Sequence, residues 1–514
     1  MSDSIYSGYP PELSPIQQEC IVSTVKEWAI NNGLTVRPSA AYLPDEVNSK
    51  GVFATNAPVT LFPSPFPKNC FEDAKAVQTA YNELYAAISR NETWLGKIME
   101  DLIDVDDFVS NLWKVHLAVK KEGYVQPLSL GLFRSDYMVH TPETAPPSLK
   151  QVEFNTIASS FGGLSSLVAQ LHTNLLSFPP GNPVMYPPHP ILKDNLPPQN
   201  TAVSSLASGL AASHEAYGAP KSSPALPLCI IFLVQEGERN IFDQTKLSSY
   251  LTEERGIPVF RLISSEVMKA TSIPSSNPAR PLIYTPPQAP STQFEVTTVY
   301  LRSLYTPNDY QDSNAWEART HLERSAAIKC PTVLTQLAGC KKIQQVLAEP
   351  SGPDHLSQFL PNTNPAVIEK VRQTFAPQYD LSPDGPGIKL ALDPSTAENH
   401  VLKPQREGGG NNMYKSAIPG FLRSIPETEW KRWVLMELIR PPNAAKNTAL
   451  RSDGAVMSGN VVGELGIFGT VLWNDDGKIL QNEQGGWLMR TKAKESDEGG
   501  VAAGFSSLDS ILLV

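Results

Sequence analysis

Apolar residues between positions 71 and 122 recur at helical spacing. Ala74, Val77, Tyr81, Leu84 and Ile88 step by 3, 4, 3 and 4 residues, and Phe108, Leu112, Val115 and Val119 keep the same period. Each set falls on one stripe of a helix, and Gly123 supplies the usual stop for the second. Beyond residue 123 the patterning changes. Pro227 to Gln235, Thr297 to Arg302, His400 to Lys403, Val434 to Ile439 and Leu465 to Trp473 read as strands, the first of them buried. Helical stretches, Trp316 to Ile328 and Lys341 to Leu347 among them, lie between. The alternation predicts an α/β or α+β chain, and periodicity alone assigns no topology.

Proline punctuates this pattern: 46 of 514 residues, against a usual share of about 5%. The stretches Phe178 to Asn200 and Pro274 to Pro290 hold many of them, and neither a helix nor a central strand accommodates such runs. Both are expected as surface excursions, the first as the approach to a domain boundary. The length corresponds to two to four packing units at about 150 residues each. Hydrophobic residues at 41% and charged residues at 18% are globular proportions.

Charge and cysteine usage narrow the function classes. Lys and Arg total 42 against 52 Asp and Glu, a formal net charge of −10. A nucleic-acid partner held by phosphate neutralisation would need the opposite bias, so none is expected. No apolar run approaches the ~20 residues of a membrane span, and the first residues lack a basic segment leading into an apolar one. Five scattered cysteines without a Cys-x-x-Cys pair suit neither a disulfide framework nor a zinc site. No membrane association and a cytosolic location are the expectation.

The most chemically loaded segment is Val401-Leu-Lys-Pro-Gln-Arg-Glu-Gly-Gly-Gly-Asn-Asn-Met-Tyr414. A strand ending at Lys403 runs into Gly408, Gly409 and Gly410, whose backbone N–H groups can converge on an anion without Cβ interference. Lys403 brings a point charge, and Glu407 with Asn412 brings oxygen ligands suited to Mg²⁺. Walker A and Gly-x-Gly-x-x-Gly signatures are both missing from the sequence. On the strand Gln151-Val-Glu-Phe-Asn155, Glu153 and Asn155 share a face, a carboxylate and an amide placed for a hard cation. Arg134, between an apolar run and a polar turn, and Arg302, at a strand end, are forks suited to carboxylate or phosphate. Leu488-Met-Arg-Thr-Lys-Ala493 leads into a small-residue loop, the arrangement a lid over an anionic substrate needs. Gln235 to Gln244 begins where a buried strand stops, where α/β sites usually form. The histidines show no metal spacing and no Gly-x-Ser-x-Gly exists, which leaves hydrolase and thiol-nucleophile readings without support.

Taken in order, Gln151-Val-Glu-Phe-Asn-Thr-Ile, Glu238-Arg-Asn-Ile-Phe-Asp-Gln, Gln336-Leu-Ala-Gly-Cys-Lys-Lys, Leu402-Lys-Pro-Gln-Arg-Glu-Gly-Gly-Gly-Asn-Asn, Glu464-Leu-Gly-Ile-Phe-Gly and Leu488-Met-Arg-Thr-Lys resemble the eukaryotic glutathione synthetases, which are ATP-grasp ligases. The likeness runs from about Thr60 to the end. It implies an ATP-grasp body with an N-terminal helical region over 1–222, an inserted α/β substrate-binding domain over 223–336, and a lid-bearing remainder over 337–514. It also implies ligation of γ-glutamylcysteine with glycine at the expense of ATP, two Mg²⁺ per active site and a homodimer.

By that resemblance Glu153, Asn155 and Glu407 would hold magnesium. Lys341, Lys403, the Gly408 to Gly410 loop, Asn412, Tyr414, Met436, Glu437, Leu438, Ile439, Glu464, Lys492 and Glu498 would surround ATP. Arg134, Ser159, Ser160, Glu238, Arg239, Asn240, Gln244, Arg302, Tyr305, Arg490, Val501 and Ala502 would contact dipeptide and product, with Arg134, Lys403 and Arg490 acting in catalysis. Ser303-Leu304 stand where the family carries Asp-Gly, which leaves the backbone path after Arg302 open. Glu498 stands where Asp is common. Another amine acceptor such as β-alanine, or a non-catalytic ATP-binding regulator on the same body, are the alternatives.

Overall fold

The computed structural model describes the whole chain except residues 1–4, 45, 49–50, 143–144, 180–181, 194, 384, 406–410, 495–500 and 502–505. The two periodic stretches form helices α1 (Lys68–Arg90) and α2 (Asp107–Glu122). Asp106 caps α2 by accepting from the N–H groups of Phe108 and Val109, and Gly123 at φ +83° ends it. The stripe residues of both helices are buried except Phe108, which is half-buried.

The strands that carry the chemistry are β1 (Leu128–His140) and β2 (Ser148–Asn155), followed by helices α3 (Gly162–Leu176) and α4 (Ala202–Tyr217). Next come β3 (Leu228–Val234), helix α5 (Ile241–Arg255), β4 (Phe294–Leu301) and helix α6 (Lys341–Ala348). The last are β5 (His400–Pro404), β6 (Trp433–Glu437), β7 (Val456–Asn474) and β8 (Ile479–Ala493). Thirteen strands among the described residues join in one sheet. Its antiparallel half runs β8–β7–β1–β2, and its largely parallel half contains β4 and β3. The strand Ile328–Cys330 links the halves, pairing with β4 and, at Lys329 opposite Ser129, with β1. A separate four-stranded sheet holds β5 and β6 with Gln378–Tyr379 and Met413–Tyr414.

Side-chain alternation along β1 divides the core. Phe133 and Tyr137 face α1, where Tyr85 stacks on Phe154 of β2 with ring centroids 3.9 Å apart. Leu130 and Leu132 face the other way, toward the layer of α3 and α4. That second face is apolar only along its lower half. Further along β1 the same alternation places Arg134 and Asp136 there, and the face turns polar.

Several sequence expectations change. Arg134 lies in the middle of a 13-residue strand rather than before a turn, because Ser135 and Asp136 are fully buried and paired. Helix Ser313–Arg324 stops short, and Ile328 belongs to the linking strand. The strand expected to reach Ile439 ends at Glu437. The proline-rich stretches are not mere excursions. Met185, Tyr186 and Leu192 enter the core, Tyr186 stacking on Phe62, and Leu282–Tyr284 is a buried strand beside β4.

Candidate active site

A row of charged and polar side chains crosses four strands on one sheet face. Register sets Arg134 opposite Asn155 and Asp136 opposite Glu153 between β1 and β2. Between β1 and β7, Asp136 lies opposite Gly466. Between β7 and β8, Glu464 lies opposite Arg490 and Val462 opposite Lys492. Laterally paired residues share a face, as do residues two apart on one strand. Asn155, Glu153, Arg134, Asp136, Glu464, Arg490 and Lys492 are therefore neighbours by construction. Gly466 is required within the row: a Cβ there would lie 2.7 Å from Arg134 Cδ and 2.8 Å from Asp136 Oδ1.

Asp136 is the centre of the row. Arg134 donates to it through Nε and Nη2 at 2.6 and 2.7 Å, Arg490 through Nη2 at 2.9 Å, and Asn155 through Nδ2 at 3.0 Å. Arg134 Nη1 donates to the Ser160 carbonyl at 3.3 Å, and Arg490 also pairs with Glu464. From the opposite side, Lys341 at the start of α6 reaches Glu153 at 3.3 Å. Lys403 of β5 donates to the Val152 carbonyl at 3.0 Å and so ties the small sheet to the large one.

These charges act on one another. Burial pushes the Glu153 carboxyl up, but Lys341, Lys403, Arg490 and Arg134 outweigh it and hold it down at about 2. Burial pushes the Lys403 ammonium down to about 8, with Glu153 resisting and Lys341 adding to the fall. Burial raises Glu464 above its usual range in spite of Arg490, and Asp136 adds to the rise. Burial also works against the charge of Arg490, yet Glu464 and Asp136 raise it further. The arrangement is a cationic slot with a carboxylate held low at one end, suited to a polyanion.

Glu153 and Asn155 fit a magnesium ion by donor chemistry. The carboxylate stays ionised, and the Asn155 amide gives its nitrogen to Asp136, which leaves its oxygen as the end turned away. No three His, Cys, Asp or Glu side chains converge as a metal cage among the described residues. Magnesium usually takes only one or two carboxylates and completes its shell with phosphates and water.

The small sheet forms an apolar wall beside the slot. Val401, Met436 and Ala376 are buried there, with Tyr414, Leu438 and Ile439 packed against them. Leu438 N–H donates to Asn399 O at 2.8 Å, and Glu437 accepts from the Tyr379 hydroxyl at 2.7 Å. Asn412 donates to the Tyr414 hydroxyl at 3.2 Å. An apolar wall of this kind suits a nucleobase.

A second cluster of polar side chains lies at the ends of β3 and β4. Arg302, immediately after β4, pairs with the buried Asp243 of α5 at 3.3 Å. Asp243 also accepts from the backbone N–H of Phe161 and Gly163 at 2.8 and 2.7 Å, which fixes the loop carrying Ser159 and Ser160. Glu238 accepts from Asn240 N–H and from Gln244 Nε2, both at 2.7 Å. Tyr305 accepts from Gln235 at 3.2 Å. Arg239 turns away and donates to the Arg37 carbonyl at 3.1 Å. Burial opposes the charge of Arg302, and Tyr300, Asp243 and Glu238 together raise it. Arg302 Nε, Asn240 Oδ1, Gln244 Oε1 and Ser159 Oγ are buried without a hydrogen-bond partner. Such orphans are costly in a finished core, and these four leave hydrogen-bonding capacity that a polar ligand could take up.

Leu304 shows how the departure from Asp-Gly is accommodated. It sits at φ +65°, the left-handed region glycine favours, and is fully buried. Its carbonyl accepts from Gln336 Nε2 at 2.9 Å and from the Tyr310 hydroxyl at 3.2 Å, which hold the strained residue in place. Glu407, Gly408, Gly409, Gly410, Glu498 and Ala502 lie outside the described residues, and Val501 is buried. Sequence reasoning passed over Asp136 and Asp243. Asp136 was visible as an acid two residues after Arg134, which on a strand means the same face.

Residues 15–513 match the family model described as eukaryotic glutathione synthase, ATP binding domain. The chain belongs to the eukaryotic glutathione synthase family. The glutathione synthetase large chain of Schizosaccharomyces pombe is 39% identical, over 90% of this chain and 91% of the relative. The glutathione synthetase of Xenopus laevis is 37% identical, over 89% of this chain and 90% of the relative. A solved structure of a glutathione synthetase-like effector from Globodera pallida in its apo form superposes with a TM-score of 0.73 at 22% identity, covering 98% of both chains, and shares the fold. The mixed α/β architecture is of the ATP-grasp type.

Proposed function

We propose that this glutathione synthase family member joins the cysteinyl carboxylate of γ-glutamylcysteine to the amine of glycine, with ATP converted to ADP and phosphate. The observation that carries the reading is the polar row on the sheet face, with Arg134 and Arg490 in it and Lys341 and Lys403 facing it, lying between an apolar wall and a cluster of unpartnered polar groups.

A carboxylate does not react directly with an amine, because oxide is too poor a leaving group. In the first step a carboxylate oxygen attacks the γ-phosphorus, the bond to the bridging oxygen breaks, and ADP departs. The glycine amine then attacks the acyl carbon. The C–O bond breaks, and phosphate leaves with the carboxylate oxygen and the amine proton. Both steps concentrate negative charge, so positioning and cations matter more than a general base. Lys341, Lys403 and Lys492 would hold the phosphates. Arg134 would present the second N–H of Nη1 to the transferring group, since the Ser160 carbonyl takes the other and Asp136 holds Nε and Nη2. Arg302, Gln244, Asn240 and Ser159 would bind the dipeptide, and Arg490 the glycine carboxylate.

Glu153 and Asn155 would hold magnesium, joined by Glu407, with two ions per site. Magnesium, when bound, screens the triphosphate and polarises its γ-phosphoryl group. Val401, Tyr414, Met436, Leu438 and Ile439 would enclose the adenine. Residues 223–336 would act as the substrate-binding insertion, and the segments around Gly408 and Gly499 as covers that exclude water. No helix among the described residues is long and apolar enough to cross a membrane. A cytosolic homodimer is the form we propose.

The test is ADP release with Mg-ATP, γ-glutamylcysteine and glycine, omitting one component at a time. Release that requires all three, with glutathione formed in equal amount, supports the reading. Turnover with β-alanine but not glycine would overturn the acceptor assignment. ATP binding without turnover for any amine would overturn the ligase itself.

A further inference from the structure

The carboxylate of Asp136 is fully buried and takes four hydrogen bonds, one on Oδ1 and three on Oδ2. A carboxylate offers about four lone-pair positions. Oδ2 is thus fully occupied by donors from the described residues and Oδ1 is held by Arg134 Nε, so this fully buried carboxylate is turned toward the protein's own side chains. Its donors have separate duties. Arg134 continues through Nη1 to the Ser160 carbonyl on the dipeptide side, and Arg490 continues to Glu464. Asn155 stands two residues from Glu153, with its oxygen turned away from Asp136. One carboxylate therefore sets the rotamers of three side chains on three strands.

We propose that Asp136 is the positioning residue of this site, locking Arg134, Arg490 and Asn155 into one unit so that dipeptide, acceptor and cation subsites keep a fixed mutual geometry. The inference rests on the ligase reading above. Its physical basis is preorganisation: a guanidinium held by two bonds to a buried anion cannot swing, and its free edge meets the reacting group without reorientation. The space for the unit is reserved by Gly466, where any side chain would press on Arg134 and Asp136.

Asp136→Asn keeps the shape but turns an amide N–H₂ toward guanidinium donors. Loss of such a supporting partner costs about 10- to 100-fold, and we expect that fall in kcat/KM for γ-glutamylcysteine. The Michaelis constant for ATP should rise less than that for γ-glutamylcysteine, because the apolar wall and the lysines lie outside the unit and only Asn155 bears on the cation. Calorimetric binding of γ-glutamylcysteine in the absence of nucleotide should weaken in parallel. If Asp136 acts through the arginines, its loss is also smaller in an Arg490→Gln background than in the wild type.

Should Asp136→Asn fail to fold, Gly466→Ala displaces the same pair without altering any charge and should give the same dipeptide-selective signature. Unchanged dipeptide binding and kinetics in a folded variant would overturn the role, as would losses from Asp136→Asn and Arg490→Gln that simply multiply. Failure of wild-type turnover would count against the ligase reading instead, with the dipeptide dissociation constant still reporting on Asp136.

Discussion

Lys403 carries two opposed consequences of being buried beside both cations and carboxylates. Its ammonium is pushed down from 10.5 to about 8. Above about pH 8 the free protein loses this charge, so affinity for ATP should fall there. Stability should move the other way. Between about 8 and 10.5 the unfolded chain holds the proton that the folded one has released, and stability rises with pH in that window. Lys403→Arg, which stays charged, should abolish the basic limb of ATP affinity measured by calorimetry. A limb that persists in that variant would assign it to another group. Arg302 tests the other cluster. Arg302→Ala leaves Asp243 buried without its cation and opens the dipeptide site. A 10- to 100-fold rise in the Michaelis constant for γ-glutamylcysteine is expected, about the value of one charge-assisted contact, with little change for ATP. The reverse pattern in steady-state kinetics would move Arg302 out of the dipeptide site.

At the level of elements, β7 shows how closely packing constrains the site strands. Gly469 faces α1, where a Cβ would lie 2.2 Å from Asn82 Oδ1 and 2.7 Å from Gln78 Nε2, both fully buried. Gly469→Ala should therefore destabilise by about 1–3 kcal/mol in urea unfolding, while the Michaelis constants of the folded fraction stay unchanged. Altered substrate constants without a stability loss would contradict that division of labour.

The elements also differ in how far the sequence revealed them. The stripes of α1 and α2 and the apolar run of β3 carry their period openly. β1 does not: Arg134-Ser-Asp looks like a turn until the partners of Asp136 on β2 and β8 are known, and those lie about 20 and 350 residues away in the chain. Tyr186 and Met185 were hidden for another reason. A proline-rich segment reads as surface, but these side chains fill the core beside Phe62 without needing regular backbone. Of the site, the charged residues and their order were legible. Their grouping on one face was not, because it depends on strand register.

For the whole molecule, a second buried polar cluster lies where the strand Ser506–Asp509 pairs with β8. Asp509 accepts from Ser64 Oγ and Thr491 Oγ1, both at 2.6 Å, and from Ser510 N–H at 2.7 Å. Burial still pushes it up from 3.8 to about 6. Next to it His172 donates to the Thr60 carbonyl at 2.9 Å and accepts from Ser510 Oγ at 2.7 Å, and burial pushes it down from 6.5 to about 4.

The two act in opposite directions. A raised acid binds more protons folded than unfolded, so between 3.8 and about 6 Asp509 makes stability fall as pH rises. A lowered base does the reverse, so between about 4 and 6.5 His172 makes stability rise. Each displacement is worth on the order of 3 kcal/mol, so in the wild type they oppose each other. Asp509→Asn should expose the His172 contribution, with urea stability rising from about pH 4 to pH 6.5 relative to wild type. His172→Gln should expose the opposite slope. Parallel profiles for all three proteins would show that neither group titrates as its surroundings require.

The central claim concerns the reacting carboxylate, and isotope tracing reaches it directly. γ-Glutamylcysteine labelled with ¹⁸O in its cysteinyl carboxylate would be incubated with ATP, magnesium and glycine, and the released phosphate analysed by mass spectrometry. Transfer of one labelled oxygen to phosphate for each glutathione formed is the expected result, because activation leaves that oxygen on phosphorus. Glutathione formed with unlabelled phosphate would contradict the account.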